Sequence, residues 1–295
     1  MKSQVQLTLI LSFLCLITIN CLSVTNERKR KAYITFNRVG YLRMVDVGSN
    51  YDRTWSCGTN GRVYKHAPSA ADKVSRVHKH ITDCARIDVS RNGKPWVVSR
   101  NGSIWRLDAV PRKINRFKWT KMPGCARDIG CGHKNTCFVI GCENTAHGGG
   151  IYMWSPTQMK WIKTGGGLAT RVDAGTRHLY VVNKGGNFYR SSNGGKDWQS
   201  LPGQFIDVSV GANGSVYATS PKGTFQLVKN KFYQINPFGK SVSAGSYIWI
   251  VGVNNIAYRG RLNSKRNLSK GRPIASRRRG SVRNSSRIRN QGRNN

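Results

Sequence analysis

The sequence predicts an all-β fold: a six-bladed β-propeller closed by its own N-terminal strand and followed by a disordered basic C-terminal tail. Three observations carry that prediction. First, an aliphatic-Asp-aliphatic-small phrase recurs as MVDVG (44–48), RIDVS (86–90), ARDIG (126–130), RVDAG (171–175) and FIDVS (205–209), with a degenerate SVSAG at 241–245. Second, its polar positions, Asp46, Asp88, Asp128, Asp173, Asp207 and Ser243, step by 42, 40, 45, 34 and 36 residues, the length of a four-stranded blade. Third, the segments between them alternate apolar and polar every second residue, where helical repeats would show a 3.6-residue period. The 32 Gly against 9 Pro fit a chain of many tight turns.

The second repeat shows how each blade is written. Residues 86–90 make the inner strand, and Arg91-Asn92-Gly93-Lys94 turns the chain into a second strand at 95–100. Asn101-Gly102 suits a type I′ turn into a third strand at 103–107. Trp119 to Met122 is the fourth strand, and Pro123-Gly124 leads to the next repeat. Fourth strands of other repeats begin at Trp161, Trp198 and Tyr233. The last repeat lacks a fourth strand, whereas Tyr33 to Phe36 is an orphan strand ahead of the first. Pairing the orphan with the strand near Ile256 closes the ring and leaves no open edge. The domain boundaries follow: 1–23, 24–31, 32–262 for the propeller, and 263–295.

The ends are different material. Residues 1–23 read as a signal peptide, with Lys2 ahead of a mostly apolar run from Val5 to Ile19 that is too short to span a bilayer. The expectation is a secreted, extracellular protein, followed by a basic linker at 24–31. The tail at 263–295 holds eleven Lys or Arg and no acidic or aromatic residue, so it cannot bury enough apolar surface to order itself. Export leaves six cysteines, Cys57, Cys84, Cys125, Cys131, Cys137 and Cys142, as disulfide candidates with 15 possible pairings. Their spacing lacks the paired C-x-x-C of a zinc site.

Charge bounds the partners. With 49 Lys+Arg against 12 Asp+Glu, the formal net charge is +37, and the chain is expected to associate with polyanions. Glu27 and Glu143 are the only glutamates, which leaves little material for glycosidase-type carboxylate pairs. SSNGGKDW (191–198) resembles the structural Asp-box turn of sialidase-type propellers, but a sialidase site also needs a tyrosine activated by glutamate. The histidines, His66, His78, His80, His133, His147 and His178, have no metal-ligand spacing beyond H-x-H at 78–80. No catalytic residue, metal or cofactor is expected. The recurring Asp residues are expected to bond backbone between blades, and most Trp to wedge there, with Trp154, displaced from the register, the best candidate to stack on a sugar.

IDVSRNGKPWVVSRNGSIWRL (87–107), VGANGSVYATSPKGTFQL (210–227) and IWIVGVNNIAYRG (248–260) resemble the tectonin β-propeller lectins, a family of horseshoe-crab, fish-egg and slime-mould proteins. The resemblance covers the whole propeller, apart from the cysteine-rich third repeat with its insertion CENTAHGGG (142–150). It implies multivalent, non-catalytic binding of surface glycans, bacterial polysaccharide included, with a role in innate immunity; the charge adds acidic or phosphorylated glycans. From the strand order, turns between second and third strands share one rim with the connections entering inner strands. That rim collects Asn60, Arg100, Asn101, Asn183, Lys184, Lys222 and Asn254 with Arg86, Arg127 and Arg171 as carbohydrate-binding candidates. A matrix or coat protein crosslinking polyanions through the tail is the alternative reading. Sequons stand at Asn101, Asn213, Asn267 and Asn284.

Overall fold

The computed structural model describes residues 34–68, 74–76, 81–109, 117–132 and 136–262. The expected signal peptide, linker and tail, and His78, His80 and His133, lie outside the described residues. The described residues contain strands and no helix. In chain order these are β1 (Ile34–Asn50), β2 (Arg53–Gly58), β3 (Val63–His66) and β4 (Val74–Arg76), then β5 (Cys84–Val89), β6 (Pro95–Ser99), β7 (Ile104–Ala109) and β8 (Lys118–Met122). Next come β9 (Ala126–Cys131), β10 (Cys137–Gly141), β11 (Gly149–Ser155) and β12 (Lys160–Ala169), followed by β13 (Arg171–Ala174), β14 (Leu179–Val182), β15 (Asn187–Ser191) and β16 (Gln199–Gln204). The last are β17 (Asp207–Val210), β18 (Val216–Ser220), β19 (Gly223–Val228), β20 (Lys231–Asn236), β21 (Ser241–Ala244), β22 (Ile248–Val251) and β23 (Ile256–Leu262).

Four sheets are antiparallel meanders of four strands: β5 to β8, β9 to β12, β13 to β16 and β17 to β20. The fifth sheet has seven strands in the order β21-β22-β23-β1-β2-β3-β4. Six separate blades were expected; the structure has five hydrogen-bonded sheets, because β1 runs unbroken through the closure. Its first part pairs with β23 (Ile34 opposite Leu262, Arg38 opposite Tyr258), and its second part pairs with β2 (Met44 opposite Gly58, Asn50 opposite Arg53). The orphan strand therefore meets the strand at Ile256 and covers both edges.

The phrase strands β5, β9, β13, β17 and β21, with the second part of β1, pack side by side into a closed ring, which makes the fold a β-propeller. The core lies between neighbouring sheets rather than on the axis. Trp55, Val63, Ile87 and Val97 fill one gap, and Trp96, Ile129, Val139 and Trp154 the next. Phe138, Ile151, Val172 and Val181 fill a third, and Val182, Phe188, Phe205 and Val216 a fourth. Two more clusters flank the closure, one around Met44 and Trp249 and one around Ile34 and Ile250.

One loop chemistry recurs. In Gly58–Arg62, Ser90–Lys94, Ser99–Ser103, Asn183–Asn187, Gly211–Ser215 and Gly252–Ile256, the first N–H donates to the fifth carbonyl and the fourth N–H returns to the first carbonyl. The fourth residue has a positive φ in every case, for example +84° at Gly102 and +64° at Asn255. This corrects the type I′ turn expected at Asn101-Gly102. Only Gly102 is left-handed, and Asn101 instead accepts the Ser103 N–H at 2.9 Å through its side-chain oxygen.

The six cysteines pair as Cys57–Cys84, Cys125–Cys142 and Cys131–Cys137. The first ties β2 to the start of β5, across neighbouring sheets. The second holds the third-repeat insertion against the segment entering β9.

Candidate functional site

The axis is lined by the repeated carboxylates. Asp46, Asp128 and Asp207 sit on alternate strands of the ring, and each accepts a backbone N–H from the next inner strand: Ile87 at 2.8 Å, Val172 at 2.8 Å and Val242 at 3.0 Å. Asp88 and Asp173 do the same from the strands between, taking Cys131 at 2.6 Å and Val210 at 2.7 Å, and on β17 Ser209 adds a second bond to β21 by accepting the Ala244 N–H at 3.1 Å. The expected backbone role of the five Asp residues is therefore what the structure shows.

Arg86 joins the alternate carboxylates into one cluster. Its Nε reaches Asp128 at 2.6 Å, Nη2 reaches Asp207 at 2.7 Å and Nη1 reaches Asp46 at 3.2 Å. Burial works against the guanidinium charge, but Asp128, Asp207 and Asp46 outweigh it and hold its pKa well above the ordinary value. Burial also pushes Asp46 up to about 6 against the pull of Arg86, Asp173 up to about 7, and Asp128 and Asp88 upward. Arg171 leans into the same cluster, 3.4 Å from Asp207.

This corrects the rim expectation for Arg86, whose side chain is only 16% exposed and fully engaged in ion pairs. Arg171 is half-withdrawn in the same way. The asymmetry was hidden in the repeat: the residue entering the inner strand points at the axis in some blades and outward in others. Arg127 is exposed and donates to the Cys142 carbonyl at 3.0 Å.

The rim itself exists. Turns between second and third strands bond to connections entering the neighbouring inner strand, as in Gly61 to Cys84, Gly102 to Ala126, Gly186 to Phe205 and Asn255 to Met44. Its amides, however, are turn-formers. Asn60 accepts the Arg62 N–H at 3.1 Å, Asn101 that of Ser103, and Asn254 that of Ile256 at 3.1 Å. Asn183 is buried and accepts the Asn187 N–H at 2.9 Å. Arg100, Lys184 and Lys222 remain exposed cations, Arg100 donating to the Thr59 carbonyl at 3.3 Å.

Among aromatics, Trp154 is corrected from candidate sugar-stacker to core. It is 6% exposed and packs between Trp96 and Trp161, at ring-centroid distances of 6.1 and 5.2 Å. Trp198 is the residue that sequence reasoning assigned only to the wedge. It follows the Asp-box-like turn, in which the Ser191 Oγ accepts the Gly195 N–H at 2.8 Å and the Asn193 Oδ1 accepts the Asp197 N–H at 3.0 Å. That turn sets Trp198 into a cleft of about 330 Å³ lined by His147, Gly166, Gly167, Leu168, Val181, Asn183, Asn187, Tyr189 and Trp198. The Trp198 Nε1 is buried with no hydrogen-bond partner among the described residues. It lies against Gly167, where a Cβ would come within 2.7 Å of it. Gly166 faces open space, with nothing within 4 Å of a Cβ built there. Gly166 and Gly167 thus leave bare backbone in a lining that also holds an indole, a phenol, two amides and an imidazole. No carboxylate and no Lys or Arg lines the cleft.

Catalytic parts are poorly placed. The phenol of Tyr152 donates to Glu143 in a short hydrogen bond, which lies on the exposed surface. That bond, with desolvation, raises the Tyr152 pKa, so the phenol ionises less readily than usual; Glu143 is lowered, because desolvation is outweighed by the hydrogen bond from Tyr152, the backbone N–H bonds and Lys163 together. Among the described residues, no three His, Cys, Asp or Glu side chains gather where they could hold a metal.

Comparison with known structures finds propellers. A gluconolactonase from Xanthomonas campestris superposes with a TM-score of 0.58 at 12% identity, covering 78% of this chain and 90% of that one. A putative gluconolactonase gives 0.55 at 11%, covering 78% and 92%. A catalytically inactive virginiamycin B lyase from Staphylococcus aureus, with quinupristin, gives 0.51 at 14%, covering 73% and 79%. At such identities these likenesses show the fold alone. No curated protein matches the chain. The Tectonin domain model matches residues 24–194 and 168–276. Repeat phrase, ring of inner strands and family match agree, and the chain belongs to the tectonin family.

Proposed function

We propose that this chain is a secreted, non-catalytic carbohydrate-binding propeller, and that the cleft beneath Trp198 is a sugar subsite. The carrying observation is the cleft's lining: an aromatic wall, a glycine floor and neutral donors and acceptors. A pyranose ring presents an apolar face to an indole and hydroxyls to amides, and bare backbone lets it approach closely. A lining without Asp, Glu, Lys or Arg favours uncharged sugars there. Acidic or phosphorylated glycans would instead engage the exposed rim cations Arg100, Arg127, Lys184 and Lys222, and Asn60, Asn101 and Asn254 offer only what their turn bonds leave. Glycan binding without catalysis fits the family and the commitment of the axial Asp residues to backbone bonds.

In this reading the seven-stranded sheet counts as two blades, since it carries two inner strands and folds around its own apolar cluster at Met44 and Trp249. That gives six blades across 32–262. Three disulfides favour an oxidising, extracellular compartment. The eleven cations of 263–295 favour a second role, in which the tail holds matrix or coat polyanions.

The test is an array of neutral and acidic glycans probed with the full chain at physiological and at high salt. Tail and rim binding is screened as salt rises, because the Debye length falls from about 8 Å to about 3 Å at 1 M. Selective retention of neutral glycans at high salt is the expected outcome. A chain that holds only charged glycans, and loses all of them at high salt, is not a lectin of this kind.

A further inference from the structure

The closure seam carries a projection that the sugar cleft does not use. Between the pairs Arg38–Tyr258 and Arg43–Ile256, Ala257 alone stands opposite the four residues Val39 to Leu42, so β1 bulges outward from the sheet. Both ends of the bulge are anchored: Val39 is buried in the cluster with Met44 and Trp249, and Leu42 packs against it. Gly40 turns the chain at φ +47°. Tyr41, at the tip, is 94% exposed. The neighbouring turn holds Val253, 79% exposed, and is tied to the bulge by the Arg43 Nη1 bond to the Asn254 carbonyl at 2.7 Å and the Met44 N–H bond to Asn255 at 2.8 Å.

Arginines flank the projection. The Arg38 guanidinium lies 5.7 Å from the centre of the Tyr41 ring. Arg43 accepts the Thr59 N–H on its carbonyl at 3.0 Å, and the Thr59 carbonyl in turn accepts Arg100 at 3.3 Å, so Thr59 brings Arg43 and Arg100 together beside the projection. The sequence puts no acidic residue between Phe36 and Val45 or between Ser209 and Asn295.

We propose that this projection docks the propeller onto an anionic lipid bilayer, with Tyr41 and Val253 entering the headgroup layer and Arg38, Arg43 and Arg100 pairing with lipid phosphates. The shape selects this partner over a sugar polymer. Sugars are held in concave sites, whereas a projecting tip with an aromatic and an aliphatic side chain suits the interface, where tyrosine is favoured. Basic side chains beside it gain from the negative surface potential of such a membrane.

The experiment measures partition of the full chain onto vesicles of phosphatidylcholine alone and with about one-third phosphatidylserine, alongside binding to heparin. The variants are Tyr41→Ser/Val253→Ser and Arg38→Gln/Arg43→Gln, each checked by thermal melting; the exposed serine pair should melt unchanged. Tail electrostatics are common to all variants and fade with salt. The proposal expects the serine pair to lower partition onto anionic vesicles about tenfold at both physiological and high salt, with heparin binding unchanged. It expects the glutamine pair to lower vesicle partition chiefly at physiological salt. Equal vesicle partition by wild type and the serine pair overturns it. So does a serine-pair loss on heparin that matches or exceeds the loss on vesicles, which would make the projection a polysaccharide contact.

Discussion

Arg86 and its three carboxylates show how one side chain can hold a ring together. Each Asp bonds the next inner strand, and Arg86 ties three alternate strands at the axis. Removing it leaves Asp46, Asp128 and Asp207 facing one another nearly without solvent. Arg86→Gln should cost about 3–5 kcal/mol, the usual penalty for orphaning a buried ion pair, read as an earlier midpoint in denaturant. Arg171→Gln, more exposed and longer in its contact, should cost much less. The raised acids fix the sign of the pH dependence. Asp46 near 6 and Asp173 near 7 lie above an unfolded value of about 3.9, so the folded chain binds these protons more tightly. Their contribution to stability is fully present below about pH 4 and is lost as pH rises through 6 and 7. Melting temperature should therefore rise on acidification from pH 8 to pH 5, and Asp173→Asn should flatten that slope.

At the scale of turns and strands, much was legible and some was not. The Asn-Gly pairs announced hairpins, but the loop type depends on the fifth residue closing back on the first, which a dipeptide does not specify. Gly102 shows the consequence. Its φ of +84° and its position over the Cys125–Cys142 bridge, where a Cβ would meet the Cys125 sulfur at 2.3 Å, leave no room for a side chain. Gly102→Ala should cost about 1–2 kcal/mol from backbone conformation alone, and more from the clash, seen as a lowered melting temperature. The closing strand was legible because both ends were incomplete. Deleting residues 34–38 should uncover β23 and give aggregation or a broadened unfolding transition; unchanged cooperative melting would remove the strand from the closure. The continuity of β1 was not legible. Whether a strand breaks or runs on between two pairings depends on how Val39 and Leu42 pack across the bulge, which no local pattern records.

At the scale of the molecule, repetition fixed the architecture and obscured the site. Six recurrences of one phrase implied a ring, and the ring is there. The same regularity suggested a uniform rim of amides and cations, yet blade-to-blade differences decide chemistry: Arg86 faces the axis while Arg127 faces solvent. The cleft under Trp198 depends on a third repeat that departs from the pattern, through His147 in its insertion and Gly166 and Gly167 in the triple-glycine run of β12. Those glycines were the available signal, since three in a row inside a strand call for a close approach by something. The central claim is that this cleft holds a sugar, and Gly166→Leu tests it most directly, because Gly166 has open space above it and the leucine fills the cleft without displacing the fold. Binding isotherms on a neutral oligosaccharide selected by the wild-type chain should show at least tenfold weaker affinity for the variant at an unchanged melting temperature. Unaltered affinity in a variant that melts like the wild type would place the sugar elsewhere.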